Sequence, residues 1–246
     1  MTGEFVMVVA HPDDEIIGAA NYLANLPESA RRDVVIVYAT GGVPRDLHFT
    51  HEAGFTNRQE YANARRTERD AALRIAGIQP DQCIDLDYTD QEVCFCLPEL
   101  IGSLSRLIRE LQPERVLTHP YEGGHPDHDA CALACRRSAD IGGAAVIEFA
   151  CYHRGPTGFI AHEFLPSDRR VSVMPLDGKE QARKKRMYEC HRSQQQVLQA
   201  FSTVNEKFRP APVYDFHEPP HWGTLHYETL GWEIQGHIWR EAAAQS

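Results

Sequence analysis

The sequence predicts an α/β protein: a Rossmann-like, mostly parallel sheet with helices on both faces and a less regular C-terminal extension. Three observations carry this. Short apolar, β-branched runs alternate with helix-patterned segments through residues 1–155. Two polar clusters, His11-Pro12-Asp13-Asp14-Glu15 and His125-Pro126-Asp127-His128, follow two of those runs. In an open α/β sheet, the carboxyl ends of strands are where ligands bind.

The first strand spans residues 5–10, Phe-Val-Met-Val-Val-Ala, a continuous apolar run of the kind buried on both faces. A helix over 14–26 stops before Pro27. Residues 33–40 form a β-branched second strand that Gly41-Gly42 should break. A helix over 59–76 ends at Gly77, a natural C-terminal stop. A weak third strand covers 83–86. Residues 98–111 place Leu100, Ile101, Leu104, Leu107, Ile108 and Leu111 at a helical period, with Pro98 at the start. A fourth strand (115–118), a helix (127–139) and a fifth strand (145–152) follow. Right-handed crossovers would set the first strand beside the fourth, so both clusters would meet at the topological switch point. Beyond residue 155 the reading is coarser: a strand over 171–174, one long helix over 178–201, and a proline-rich extended loop over 208–222. The whole is expected to be a single domain over 1–246, with its Rossmann-like core in 1–155 and a substrate-site or oligomerisation region in 156–246.

The 246 residues carry a formal net charge of -10. That balance, without a long basic run, argues against a nucleic-acid partner. Arg183-Lys184-Lys185-Arg186 reads as the solvated face of a helix. No run is long and apolar enough for an integral membrane segment, and no secretory signal is visible. The seven cysteines show no disulfide-framework spacing and suit a cytoplasmic protein. A small-molecule substrate fits best; a homo-oligomer is left open.

The two clusters together can build one divided metal site. His11, Asp14 and His128 would supply a His-Asp-His set of the size a catalytic zinc uses. Asp13 cannot easily point the same way as Asp14, which frees it to act as general base. His125 would stabilise an oxyanion or protonate a leaving amine, oriented by Asp127. The bland alternative is that each His-Pro-Asp is a turn and each Asp a helix cap.

These paired motifs resemble the PIG-L/LmbE family of zinc-dependent de-N-acetylases. The resemblance covers the first ~150 residues and thins afterwards. It extends to Arg65-Arg66-Thr67-Glu68, similar to the family's Arg-x-x-Glu helix, and to His191-Arg192-Ser193-Gln194. It implies one Zn2+ per chain on His11, Asp14 and His128, with iron or cobalt as other ions such a set accepts. It implies Asp13 as base, His125 as acid or electrostatic partner oriented by Asp127, and Arg65 as a contact to sugar hydroxyls. An Arg-x-x-Glu pair is equally an ordinary helix-surface ion pair. His191 and Ser193 read as structural. Some members carry a tyrosine two residues before the second motif; here that residue is Gly123, and Tyr121 stands two residues earlier as the substitute candidate.

The activity implied is removal of the acetyl group from an N-acetylglucosamine-type amino sugar or glycoconjugate. An amidase on thiol conjugates or longer N-acyl chains is the close alternative, and a non-catalytic metal- or sugar-binding protein the distant one. A nucleotide-binding role lacks the Gly-x-Gly-x-x-Gly fingerprint after the first strand. The late segment 219–227, rich in His, Trp and Tyr, reads as a substrate rim or as ordinary packing.

Overall fold

A computed structural model describes residues 5–246. In chain order the elements are β1 (Phe5–Val9), α1 (Asp14–Ala24), α2 (Glu28–Asp33), β2 (Val35–Pro44), α3 (Leu47–Glu52), α4 (Arg58–Ala76), β3 (Cys83–Asp90), α5 (Leu97–Leu111), β4 (Arg115–Thr118), α6 (Pro126–Gly142) and β5 (Ala145–Phe149). A small hairpin follows, β6 (Tyr152–Gly155) and β7 (Gly158–Ala161). Then come β8 (Ser172–Pro175), α7 (Gly178–Cys190), α8 (Gln195–Leu198), β9 (Asn205–Pro210) and α9 (Gly236–Ala243).

The main sheet runs β3-β2-β1-β4-β5-β9-β8. β1 to β5 run parallel to one another. β9 and β8 extend the edge antiparallel. β1 alternates its side chains between two cores, as a strand's period of two requires. Val6 and Val8 pack with Leu97, Leu104 and Ile108 of α5, Leu133 of α6 and Trp239 of α9. Phe5, Met7 and Val9 pack on the other face with Ile16 and Leu23 of α1, Leu73 of α4 and Met187 of α7. Each such buried side chain contributes about 1.5–3 kcal/mol. The α/β fold with helices on both faces is therefore as expected, and β1 lies beside β4 at the switch point.

Three expectations are corrected. Gly41-Gly42 does not end β2, which continues to Pro44 with register shifts against β3. The long helix over 178–201 stops at Cys190, because His191 takes φ -84 and ψ 69; a 3-10 turn and the short α8 follow. The start of the proline-rich stretch is the end of β9, paired on both sides. Pro210 closes that strand, where a missing N–H costs little. The C-terminal third is thus part of the main sheet.

Helix α1 is broken internally. Ala19 leaves the helical region (φ -146, ψ 22), which frees backbone groups on either side. Glu206 of β9 accepts from the N–H groups of Asn21 and Tyr22, both at 2.9 Å. Lys184 of α7 donates to the Ile17 carbonyl at 2.8 Å and pairs with Glu206 at 3.0 Å. Both side chains are fully buried. The helix also approaches β5 closely: a Cβ on Gly18 would stand 1.9 Å from the Phe149 ring.

No helix among the described residues is long and apolar enough to cross a membrane. All seven cysteines are free thiols.

Candidate metal and catalytic site

The carboxyl ends of β1, β2 and β3 and the start of α6 open on one cavity of ≈ 400 Å³. Its floor includes His11, Asp13 and Asp14, which follow β1, Asp90, which ends β3, and His125, the N-cap of α6. Pro126 at the first helical position, with its preset φ, starts α6 there. One turn of that helix then carries Asp127 and His128 inward.

Asp14 lies between the two clusters. Its Oδ2 stands 3.3 Å from His11 Nδ1 and accepts from the His11 N–H at 2.8 Å, while its Oδ1 stands 3.1 Å from His128 Nε2. His11, Asp14 and His128, over a hundred residues apart in sequence, are therefore adjacent. The structure adds partners that sequence reasoning missed. His119 Nε2 is 3.3 Å from Asp14 Oδ2, accepts from the Ala10 N–H at 3.1 Å, and its ring stacks on His128 at 3.8 Å. Asp90 Oδ1 is 3.1 Å from His11 Nε2. Three groups have donor atoms close enough to share an ion: Asp14-His119-His128-Cys151, His11-His125-His128, and His11-Asp90-His125-Asp127. Both missed residues obey the rule that located the first cluster, since Asp90 ends β3 and His119 follows β4.

The electrostatics fit a cation. Asp13, Asp14, Asp90 and Asp127 are all buried here. Burial opposes their ionisation, yet His128 and His119 hold Asp14 well below the carboxylate range. Likewise His11 and His125 hold Asp90 low against its burial. Burial also works against charge on His11, but Asp90, Asp127 and Asp14 keep it well above an ordinary imidazole. The carboxylates that draw a proton onto His11 would equally hold a divalent ion. His128 Nε2 is buried and, though 3.1 Å from Asp14 Oδ1, forms no aligned hydrogen bond, so its lone pair is free for one.

Asp13 is held in a strained conformation, φ 146 and ψ -23. Such a backbone costs on the order of 1–3 kcal/mol and persists only when its surroundings over-determine it. Here they do. The Asp13 N–H donates to Glu15 Oε2 at 3.0 Å, its carbonyl accepts from Ile16 and Ile17, and Arg65 Nη2 donates to Oδ2 at 2.9 Å. Burial pushes the Asp13 carboxyl up to about 7 against the pull of Arg65.

Arg65 lines the cavity, but its guanidinium also bonds the Pro12 and Gly42 carbonyls. Gly42, at φ 65, admits it: a Cβ there would lie 2.0 Å from Nη1. The Arg-x-x-Glu spacing is not an ion pair, because Glu68 instead accepts from Ser193 Oγ and N–H at 2.6 and 3.0 Å.

Two assignments change. The Asp127 carboxylate stands 3.9 Å from His125 Nδ1 and accepts from the Gln91 and Val93 N–H groups instead. It is the Asp127 N–H, donating to Nδ1 at 3.2 Å, that orients the imidazole. Burial, then repulsion from His11, pushes His125 well below its ordinary pKa, so it is neutral with its proton on Nε2. Tyr121 is not brought to the cavity. Its hydroxyl donates to the Glu218 carbonyl at 2.9 Å, and its ring packs against Phe216 and Trp239. Of segment 219–227, His226 lines the cavity, while Trp222 is 96% exposed.

Residues 6–139, more than half of the chain, match the family model described as PIG-L: GlcNAc-PI de-N-acetylase. The chain belongs to that family. It is similar to a probable N-acetyl-alpha-D-glucosaminyl L-malate deacetylase 2 of Bacillus subtilis, 27% identical over 147 residues, 56% of this chain and 61% of the relative. A 1D-myo-inositol 2-acetamido-2-deoxy-alpha-D-glucopyranoside deacetylase 2 of Catenulispora acidiphila is 28% identical over 159 residues, 57% of this chain and 52% of the relative. The chain thus spans between half and two thirds of the length of these PIG-L relatives. A deacetylase of the teicoplanin biosynthesis pathway, solved with bog, shares the fold: TM-score 0.67, 16% identity, 84% of this chain and 96% of that one.

Proposed function

We propose that this PIG-L family chain is a zinc-dependent hydrolase that removes the acetyl group from an N-acetylglucosamine-type substrate. An N-acetylglucosaminyl unit is common to the substrates for which the two relatives are named. The observation that carries the reading is Asp13: a strained, buried carboxylate on the cavity floor beside a His/Asp donor set.

His11, Asp14 and His128 would hold the ion, with Asp90 and His119 steering their side chains. When bound, such an ion polarises a carbonyl oxygen and makes water a better nucleophile near neutral pH. The chain's own groups then divide the proton work. Arg65 occupies Asp13 Oδ2 and leaves Oδ1 to take a proton from the water as its oxygen bonds to the amide carbon. A carboxyl held near pH 7 suits both halves of that task. The neutral His125 Nε2–H donates to the oxygen on which negative charge develops. As the C–N bond breaks, Asp13 returns its proton to the sugar nitrogen, and acetate and the free amine leave.

The test pairs metal analysis with amine release from N-acetylglucosaminides. Asp13→Ala should abolish turnover and retain metal; Asp14→Ala or His128→Ala should lose metal. Full activity in Asp13→Ala would overturn the mechanism.

A further inference from the structure

The proton chemistry uses only the floor of the cavity; the wall above it is of a different character. Tyr152 and Phe159 of the β6–β7 hairpin meet Phe201 there, with ring centroids 5.4 to 5.9 Å apart. Val197 and Leu230 line the same cavity. Phe159, Val197 and Leu230 are 41%, 53% and 45% exposed, an unusual position for large apolar side chains gathered round one mouth. The polar groups near them are uncharged amides, among them Gln91, Gln194 and Gln196.

Among the described lining residues the sole permanent cation is Arg65; its two terminal nitrogens are held by Asp13 Oδ2, Pro12 and Gly42, and its Nε is buried away from the mouth without a partner. Arg45, on the adjoining surface, is bound through two nitrogens to Glu92 at 2.7 Å each. An anionic substituent would therefore meet aromatic rings and amides, and would lose its hydration without gaining a counter-charge. A hydrocarbon substituent gains from the same wall.

We propose that the non-reacting part of the substrate is an uncharged hydrocarbon group, alkyl or aryl, seated on the Tyr152-Phe159-Phe201-Val197-Leu230 wall, and that carboxylate- or phosphate-bearing conjugates are poor substrates. This rests on the deacetylase reading for its reaction, but its binding half stands alone. The hydrocarbon can be carried on the anomeric oxygen or as a longer N-acyl chain, and the two sources are separable.

The zinc-loaded enzyme is assayed on methyl N-acetylglucosaminide, octyl N-acetylglucosaminide, methyl N-octanoylglucosaminide and N-acetylglucosaminyl L-malate. One of the two octyl compounds should exceed the methyl reference in kcat/KM by about tenfold or more, and which one names the carrier. The ratio should collapse in Phe159→Ser, a partly exposed site where folding is little at risk. Val197→Arg should raise kcat/KM for the malate conjugate relative to the octyl one. Calorimetric binding of octyl glucosaminide and glucosaminyl malate gives a readout without turnover. Tighter binding of the octyl amine in a protein that hydrolyses none of the four would sink the deacetylase reading and keep this one. Equal or better use of the malate conjugate, or no gain from either octyl group, would overturn the inference even in an active enzyme.

Discussion

At the scale of single residues, the site depends on side chains that never touch a substrate. Glu15 is fully buried, and burial, with Asp13 beside it, pushes its carboxyl up to about 8. It is neutral at pH 7, and its one evident task is to accept the strained Asp13 N–H. Glu15→Gln keeps that acceptor and should retain most of the activity. Glu15→Ala removes it and should lower kcat by about 10²-fold with KM little changed, the cost of a small misplacement of a reacting group. Steady-state kinetics of both variants, with metal content checked, decide the point. The ligand trio and Asp13 were legible because their residue types and spacing are local: four polar groups in five positions after an apolar run. Asp90, His119 and Cys151 were not, because none stands in a cluster of ligand-type residues and their partners arrive only through strand pairing. Tyr121 misled for the same reason in reverse. Sequence proximity to the second motif says nothing about which way a ring turns, and this one turns into the Phe216-Trp239 cluster.

At the scale of elements, apolar runs located β1 and β4, both almost wholly buried, and a helical period located α5, which buries Leu97, Leu100, Leu104 and Ile108 on one face. Such patterning failed where tertiary contacts overrule it. The break in α1 has only a weak sequence mark, Gly18, and falls at Ala19, the best of helix formers. What stabilises the break lies 167 to 185 residues away, in Lys184 and Glu206. Removing one member of a buried pair leaves an uncompensated charge. Lys184→Met should therefore cost about 3–5 kcal/mol in urea unfolding, and the double variant Lys184→Met/Glu206→Gln clearly less than that. Equal losses in the two would show that the side chains merely fill space.

At the scale of the molecule, acid should unfold this protein through histidines buried in the neutral state. Burial, with Arg65 and Arg69 nearby, pushes His191 down to about 3; burial, Lys184 and Lys207 do the same to His162. In the unfolded chain each titrates near 6.5. Their contribution is therefore complete above about pH 6.5 and is lost as pH falls toward 3, at about 1.4 kcal/mol per unit for each group. Urea midpoints taken from pH 7 to pH 5 should fall, and His191→Phe should flatten the slope by one proton's share. An unchanged slope would mean that His191 is already charged in the folded state.

The brace on α1 also has a meaning in time. Every proposed ion ligand has left the ribosome once His128 has emerged, yet Lys184 and Glu206 are still unmade. A nascent chain at that stage holds the whole donor set, while the freed carbonyl and N–H groups of its first helix have no partners. The last third of the polypeptide thus sets the moment at which the first helix can settle.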